Sequence, residues 1–434
     1  MQVRWLLFFI SFLGIIFVFQ QAQRADPALE IVSQKKPSNI TERVPLLNLS
    51  LHQVSPRRSE EANHSLNSSF PHLCEAKLRK AGLWRNWTFA QTPSSQRPVI
   101  SLWPRNLSCM TDLRSRDMVL DGHGGCMPMF EWDSLFSVIL RTVPGINRSN
   151  VILDSKFSTL SQGAIYIYSQ SKDMSPIRLL AKALRMCDAG ATLVHFSDER
   201  SSQTPGYADW SLVLRNYWNK GMVDDPKFQG KVMVMPLGVA WSFWMHDAQD
   251  RHGHPERLPT VWERNYTWSF YGDIKKSTRR SMESAMATVP GGFSYASHGF
   301  AGKDMIAPYK VRETLMRSLF CPAPTGWINP DTFRFSEALD AGCFPIVDAG
   351  QVKKGYFTEF FERYDGQISG MDYIMQVPNK KAWSHVPSHI DKAMMNVTAL
   401  EARRAAMVLW WKQFKENLGQ EVADRILRLK HGMN

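Results

Sequence analysis

Arg334 and Glu337 stand three residues apart in the stretch Asn329-Pro330-Asp331-Thr332-Phe333-Arg334-Phe335-Ser336-Glu337-Ala338-Leu339-Asp340-Ala341-Gly342-Cys343-Phe344-Pro345-Ile346-Val347. Phe335, Ala338 and Leu339 recur as the buried stripe of a short helix, which leaves Arg334 and Glu337 together on its other side. The N-terminus of a helix offers free N–H groups and the positive end of its dipole, and so attracts phosphate. An arginine there can fork onto two diphosphate oxygens. A glutamate one turn on can accept both hydroxyls of a ribose, and Asp331 and Thr332 stand at the entry to the same turn. The ordinary alternative is a surface ion pair. Gly342 stops the helix and runs directly into an apolar strand, which favours the chemical reading.

A second cluster follows the apolar run Trp268 to Gly272: Lys275-Lys276-Ser277-Thr278-Arg279-Arg280. A cation at a helix start after a glycine turn could neutralise a departing diphosphate, a task that a metal ion performs elsewhere. Lys275, Arg279 and Arg280 are all candidates, and a solvated basic face is the alternative. A general base must also be present for hydroxyl chemistry. Asp198 and Glu199 directly follow the strand residues His195 and Phe196, and His123 lies in Asp121-Gly122-His123-Gly124-Gly125. Glu199 is preferred, because a carboxylate at the C-terminal end of a strand projects into a cleft. The Asp121 loop can equally be a glycine turn, Asp209 stays in play, and His195 reads as a core histidine. No Asp-x-Asp occurs, and His246, His252 and His254 sit in a polar linker without the paired spacing of a metal site, so no metal is expected.

The elements that would position these residues alternate in type. Ala164–Tyr168 reads as a buried strand, and Ser175-Pro176 opens an amphipathic helix through Leu180, Ala183, Leu184 and Cys187 that stops at Gly190. Strands follow at Leu193–Phe196 and Lys231–Met235, then at Trp268–Gly272, Leu319–Pro322 and Cys343–Val347. Thr398-x-x-Glu401 reads as a capping box opening a long C-terminal helix. Strand–helix–strand units with short links form parallel sheets. The expected architecture is α/β, with two Rossmann-like domains facing across a cleft near residues 240–265.

The 329–347 segment resembles the donor-binding motif of exostosin-like glycosyltransferases, Ser/Thr-x-Arg-x-x-Glu-Ala-Leu-x-Ala-Gly-Cys-x-Pro-Val, which here runs from Thr332 to Ile346. His195–Glu199, Leu214–Trp218 and Met235–Ala240 are also similar, the last to the ribitol-phosphate xylosyltransferase branch of that group. The likeness covers residues 150–350 and is concentrated in 320–348. It implies a type II Golgi (or endoplasmic reticulum) enzyme of the GT-B fold. It also implies inverting transfer of a sugar from a nucleotide donor, a UDP-sugar, to a glycan or glycoprotein acceptor, with no metal cofactor. Arg334, Glu337, Thr332, Asp331, Gly272, Lys275, Arg279 and Arg280 would serve the donor. A catalytically inactive lectin or scaffold of the same fold is the alternative.

Residues 1–4 read as a cytoplasmic tail, and 5–22, with the uncharged run Trp5–Phe19, as an uncleaved signal anchor, since Phe-Gln-Gln-Ala-Gln-Arg is a poor cleavage site. Residues 23–70 are polar and poor in aromatics, as in a disordered stem. Two domains, 71–262 and 263–434, are expected after it. Sequons begin at Asn39, Asn48, Asn63, Asn67, Asn86, Asn106, Asn147, Asn265 and Asn396, an excess over chance that favours a luminal location. The net charge of +12, from 52 Lys+Arg against 40 Asp+Glu, then points to an anionic small molecule or glycan and away from nucleic acid. The lumen permits disulfides among the six cysteines, with Cys187 expected to stay a buried thiol.

Overall fold

The computed structural model describes residues 60–89, 100–103, 135–140, 142–143, 151–153, 158–169, 174–196, 203–217, 219–228, 230–240, 243–244, 257–276, 278–297, 306–326, 329–348, 356–361 and 373–430. The expected anchor, the sequons at Asn39, Asn48, Asn106 and Asn147, and the His123, Asp198 and Glu199 candidates lie outside them. Among the described residues no helix is long and apolar enough to cross a membrane.

The chain begins its described part with helix α1 (Glu60–Lys80). Residues 60–70 were expected to belong to the extended stem, and they form the first half of this helix instead. Cys74 and Leu78, one turn apart on α1, are buried, so the helix is held by apolar contacts that a compositional reading of 23–70 does not weigh. Eight strands follow: β1 (Thr88–Phe89), β2 (Ile100–Trp103), β3 (Val151–Leu153), β4 (Thr159–Leu160), β5 (Ile165–Ser169), β6 (Thr192–Phe196), β7 (Leu212–Arg215) and β8 (Val232–Val234). β1 pairs with β4, and the others form a parallel six-stranded sheet in the order β3-β2-β5-β6-β7-β8. Helix α2 (Ser175–Met186) connects β5 to β6 and buries Ile177, Leu180, Ala181, Ala183 and Leu184, the stripe its sequence prescribes.

The second sheet holds β9 (Tyr266–Gly272), β10 (Gly292–Ala296), β11 (Ser318–Pro322), β12 (Phe344–Val347) and β13 (Met375–Gln376). It is parallel throughout, in the order β10-β9-β11-β12-β13. Helices α3 (Arg279–Met286), α4 (Pro308–Met316) and α5 (Phe333–Asp340) connect its strands, and α6 (Val386–Met394) precedes the long α7 (Val397–Lys430). The expected α/β architecture with parallel sheets is thus the observed one.

α7 serves both sheets. Near its middle it packs on α5, where Asp340 accepts from Trp244 Nε1 (2.8 Å), Trp411 Nε1 and Lys415 Nζ (2.6 Å). Near its end it reaches the first sheet: Thr142 Oγ1 donates to Gly419 O (2.8 Å) and Arg425 Nη1 to Gly230 O (2.8 Å). A Cβ on Gly419 would stand 2.7 Å from Val138 O, so the close approach needs glycine. A helix expected to belong wholly to the second domain therefore also covers the first. Its N-cap differs from expectation as well. Asn396 Oδ1 accepts from Ala399 N (2.9 Å), while Glu401 turns away to Val261 N (2.9 Å) and Arg404. The Thr398–Glu401 capping box is not formed, because those two residues are already inside the helix.

Cys187 is not a thiol. It is bonded to Cys74 on α1, with Cα atoms 4.8 Å apart, and Cys321 is bonded to Cys343. The apolar periodicity correctly buried Cys187, but periodicity within α2 is blind to a partner 113 residues away.

Arg264 ties the second sheet together at the start of β9. Its buried guanidinium donates to Pro259 O (3.0 Å), Leu315 O (3.2 Å), Ser318 O (2.6 Å) and Ala341 O (3.0 Å). Two of those carbonyls end α4 and α5, where helices leave acceptors open. Burial lowers its pKa to about 9, so it stays charged at neutral pH. Replacing Arg264 with leucine strands these acceptors, and chemical unfolding of Arg264→Leu should show a loss of about 3 kcal/mol.

Candidate functional site

Strand order alone marks one place in the second sheet. β9 is followed in sequence by β10 on one side and β11 on the other, so the connections diverge between β9 and β11. Such a switch point opens a crevice at the C-terminal ends of the strands, where ligands collect. Gly272 ends β9 there, and the first turns of α3 and α5 approach the same edge.

Two arginines converge on it. Arg279, the first residue of α3, is 8% exposed, and its Nη1 donates to Asp273 O at 3.0 Å. Its guanidinium carbon stands 5.8 Å from the Phe270 ring centroid. Arg334, in the first turn of α5, donates from Nε to Tyr271 O at 2.8 Å. Between them Gly272 has φ +154°, and a Cβ would meet Arg279 Nη1 and Phe270 Cζ, each at 3.1 Å. The glycine therefore makes room for the arginine. Burial, followed by the like charge of Arg279, lowers the Arg334 pKa to about 10. Two guanidiniums at the N-terminal ends of two helices give this strand end positive character, with Arg334 partly offset by its pairing with Glu337.

Of the three cations left open by the sequence, the structure brings Arg279 to the glycine. Lys275 and Arg280 are exposed, and Lys275 N is engaged in a local turn with Asp273 Oδ1 (2.9 Å). Thr332 is the N-cap of α5 without a side-chain cap bond, and its hydroxyl has no partner among the described residues. The same is true of the buried Ser336 hydroxyl.

Glu337 departs from expectation. Its carboxylate is fully buried, paired through Oε2 with Arg334 Nη1, and its Oε1 accepts from Ala240 N at 3.4 Å. Asp331 Oδ2 accepts from Leu237 N at 3.0 Å. The segment after β8 lies along this side of α5, so the face that the sequence left open is covered by the connector between the sheets. The carboxylate is buried and the Arg334 side chain about a quarter exposed, so the pair is half-buried rather than a free surface ion pair.

On the first sheet, His195 is buried and its Nδ1 lies 2.6 Å from Tyr207 Oη, which accepts from Arg215 Nη1 at 3.1 Å. Burial and then the Arg215 charge hold its pKa well below the usual value, so the ring is neutral at pH 7. It is a core histidine as expected, although Nε2 has no partner among the described residues. Asp209 pairs with Arg185 (2.8 Å) on the outside of the 207–209 turn. Among the described residues no group of three or more His, Cys, Asp or Glu is arranged to hold a metal.

Asp348 and the threonines around it carried no signal beyond the end of a strand in the sequence. The structure makes Asp348 a junction of Thr278, Thr325 and Trp383. Only the pattern strand–Asp, a carboxylate directly after an apolar run, could have flagged it.

No protein-family model matches this chain, and no curated protein matches it. Among solved structures, one described as the crystal structure of alpha1,3-fucosyltransferase is similar at 10% identity and TM-score 0.41, over 80% of this chain and 94% of that one. A second, of alpha1,3-fucosyltransferase with GDP, gives 11% identity and TM-score 0.40, over 83% and 96%. Overlays this loose carry no argument about this chain, whose α/β architecture is read from its own two parallel sheets.

Proposed function

We propose that this protein is an inverting glycosyltransferase of the GT-B type. It would transfer a sugar from a nucleotide donor, a UDP-sugar, to a glycan or glycoprotein acceptor. The carrying observation is the convergence of Arg279 and Arg334 on the C-terminal end of β9 at a switch point of the second sheet. The exostosin-like pattern from Thr332 to Ile346 supports the same reading, as does the absence of Asp-x-Asp for metal independence. The acceptor hydroxyl attacks the anomeric carbon as the bond to the diphosphate oxygen breaks. The two guanidiniums take up the charge on the leaving group, and a base takes the acceptor proton. Glu199, Asp198 and His123 are the base candidates, and Asp198 and Glu199 come two and three residues after the last residue of β6 in the sequence. A single-pass anchor at 5–22 and the sequons fit a Golgi or endoplasmic reticulum location with the enzyme in the lumen. Of those sequons, Asn86, Asn265 and Asn396 are exposed.

A catalytically silent reading is favoured by one observation, the complete burial of Glu337 against Ala240 N–H and Arg334. A panel of nucleotide sugars separates the two. The enzyme should hydrolyse one of them slowly without acceptor and melt at a higher temperature with its diphosphate product. A silent protein would bind without turnover, and no response to any nucleotide sugar or nucleoside diphosphate would overturn the donor site itself. Glu337→Ala leaves the Arg334 guanidinium without its carboxylate partner, so it should lower the unfolding midpoint along with transfer, and a Glu337→Ala protein with parent-like transfer would show that the pair does not serve the donor site.

A further inference from the structure

Arg279 is held by a group that lies outside the site. Asp348 follows β12 and is 0% exposed. Its Oδ1 accepts from Thr325 N at 2.6 Å and from Thr325 Oγ1, and its Oδ2 accepts from Thr278 Oγ1 and from Trp383 Nε1 at 3.4 Å. One carboxylate thus joins the loop after β11, the end of β12, the 380–385 turn and the residue before Arg279.

Thr278 is the N-cap of α3, and Met282 N donates to its carbonyl at 3.0 Å. An N-cap threonine ordinarily turns its hydroxyl to the N–H groups of the first turn. Thr278 makes no such bond and gives its hydroxyl to Asp348. Local helix stability has been set aside for a fixed link to the strand ends. The Asp348 charge also reaches Arg279 directly. Burial raises the Asp348 pKa, and the Thr325 and Trp383 bonds, with the Arg279 charge, oppose that rise. Any displacement of Thr278 passes through one peptide to Arg279, and a misplacement of about 1 Å can cost about 100-fold in reaction rate.

We propose that Asp348, acting through the Thr278 hydroxyl, is the positioning residue that fixes the Arg279 guanidinium at the end of β9 for a diphosphate. This rests on the reading of Arg279 as a diphosphate ligand given above. Isothermal titration of the full chain with UDP and with inorganic pyrophosphate tests it, with an unfolding midpoint recorded for every variant. Thr278→Val should weaken both ligands about 10-fold, and Thr278→Ser, which restores the hydroxyl, should bind as the parent does. Asp348→Asn should also weaken both ligands, by an amount that includes the loss of the carboxylate charge near Arg279. Because the effect runs through Arg279, the Thr278→Val/Arg279→Ala double variant should bind no worse than Arg279→Ala alone. Thr278→Ala replaces the valine variant if that one does not fold. Parent-like binding by Thr278→Val, or losses that add in the double variant, would overturn the positioning role and leave Asp348 as a brace of the sheet. Parent-like binding by Arg279→Ala would instead remove the diphosphate reading of Arg279, and the positioning role with it.

Discussion

Arg279→Ala should lower nucleotide-sugar turnover about 100- to 1,000-fold while leaving the protein folded. The magnitude is that of removing one preorganised donor from a developing oxyanion. It applies because Arg279 is already in place: it is anchored on Asp273 O, stands against Phe270, and is admitted by Gly272. Lysine should not rescue it, because an ammonium cannot reproduce the planar fork. Arg280→Ala, by contrast, removes an exposed charge and should change the rate only about twofold, as expected for a screened surface group. Initial rates of donor hydrolysis for the three variants decide the matter. Normal turnover by Arg279→Ala would sink the assignment.

Removing the Cys74–Cys187 bond should destabilise the protein by about 4–5 kcal/mol. In the chain-entropy model the cost grows with the loop closed, and this loop spans 113 residues. The Cys321–Cys343 bond closes 22 residues, for which the same model gives about 3 kcal/mol. Denaturant unfolding of Cys74→Ala/Cys187→Ala and of Cys321→Ala/Cys343→Ala should therefore rank in that order. The reverse order would show that α1 is held to the first sheet by packing rather than by the covalent link.

Much of the fold was legible locally. Strands and helices with one buried stripe announced themselves by periodicity, as at Leu180, Ala183 and Leu184 or at Phe335, Ala338 and Leu339. Elements whose burial comes from remote partners did not. α1 and the Cys74–Cys187 bond required knowing that α1 lies beside α2, and the capping box at Thr398 lost to Asn396 because the helix starts two residues earlier.

The sequence by itself determined the α/β alternation, the short helix bearing Arg334 and Glu337, and the basic turn after Gly272. These follow from the spacing of neighbouring residues, which fixes what shares a helix face or ends a strand. Tertiary structure alone decided that Arg279, and not Lys275 or Arg280, stands against Gly272, next to the Tyr271 carbonyl that Arg334 holds. It decided too that Glu337 is covered by the segment carrying Ala240, and that Asp348 reaches back to Thr278. Those partners are 97 and 70 residues apart. Their meeting depends on strand order and on the connector between two sheets, which no local period encodes.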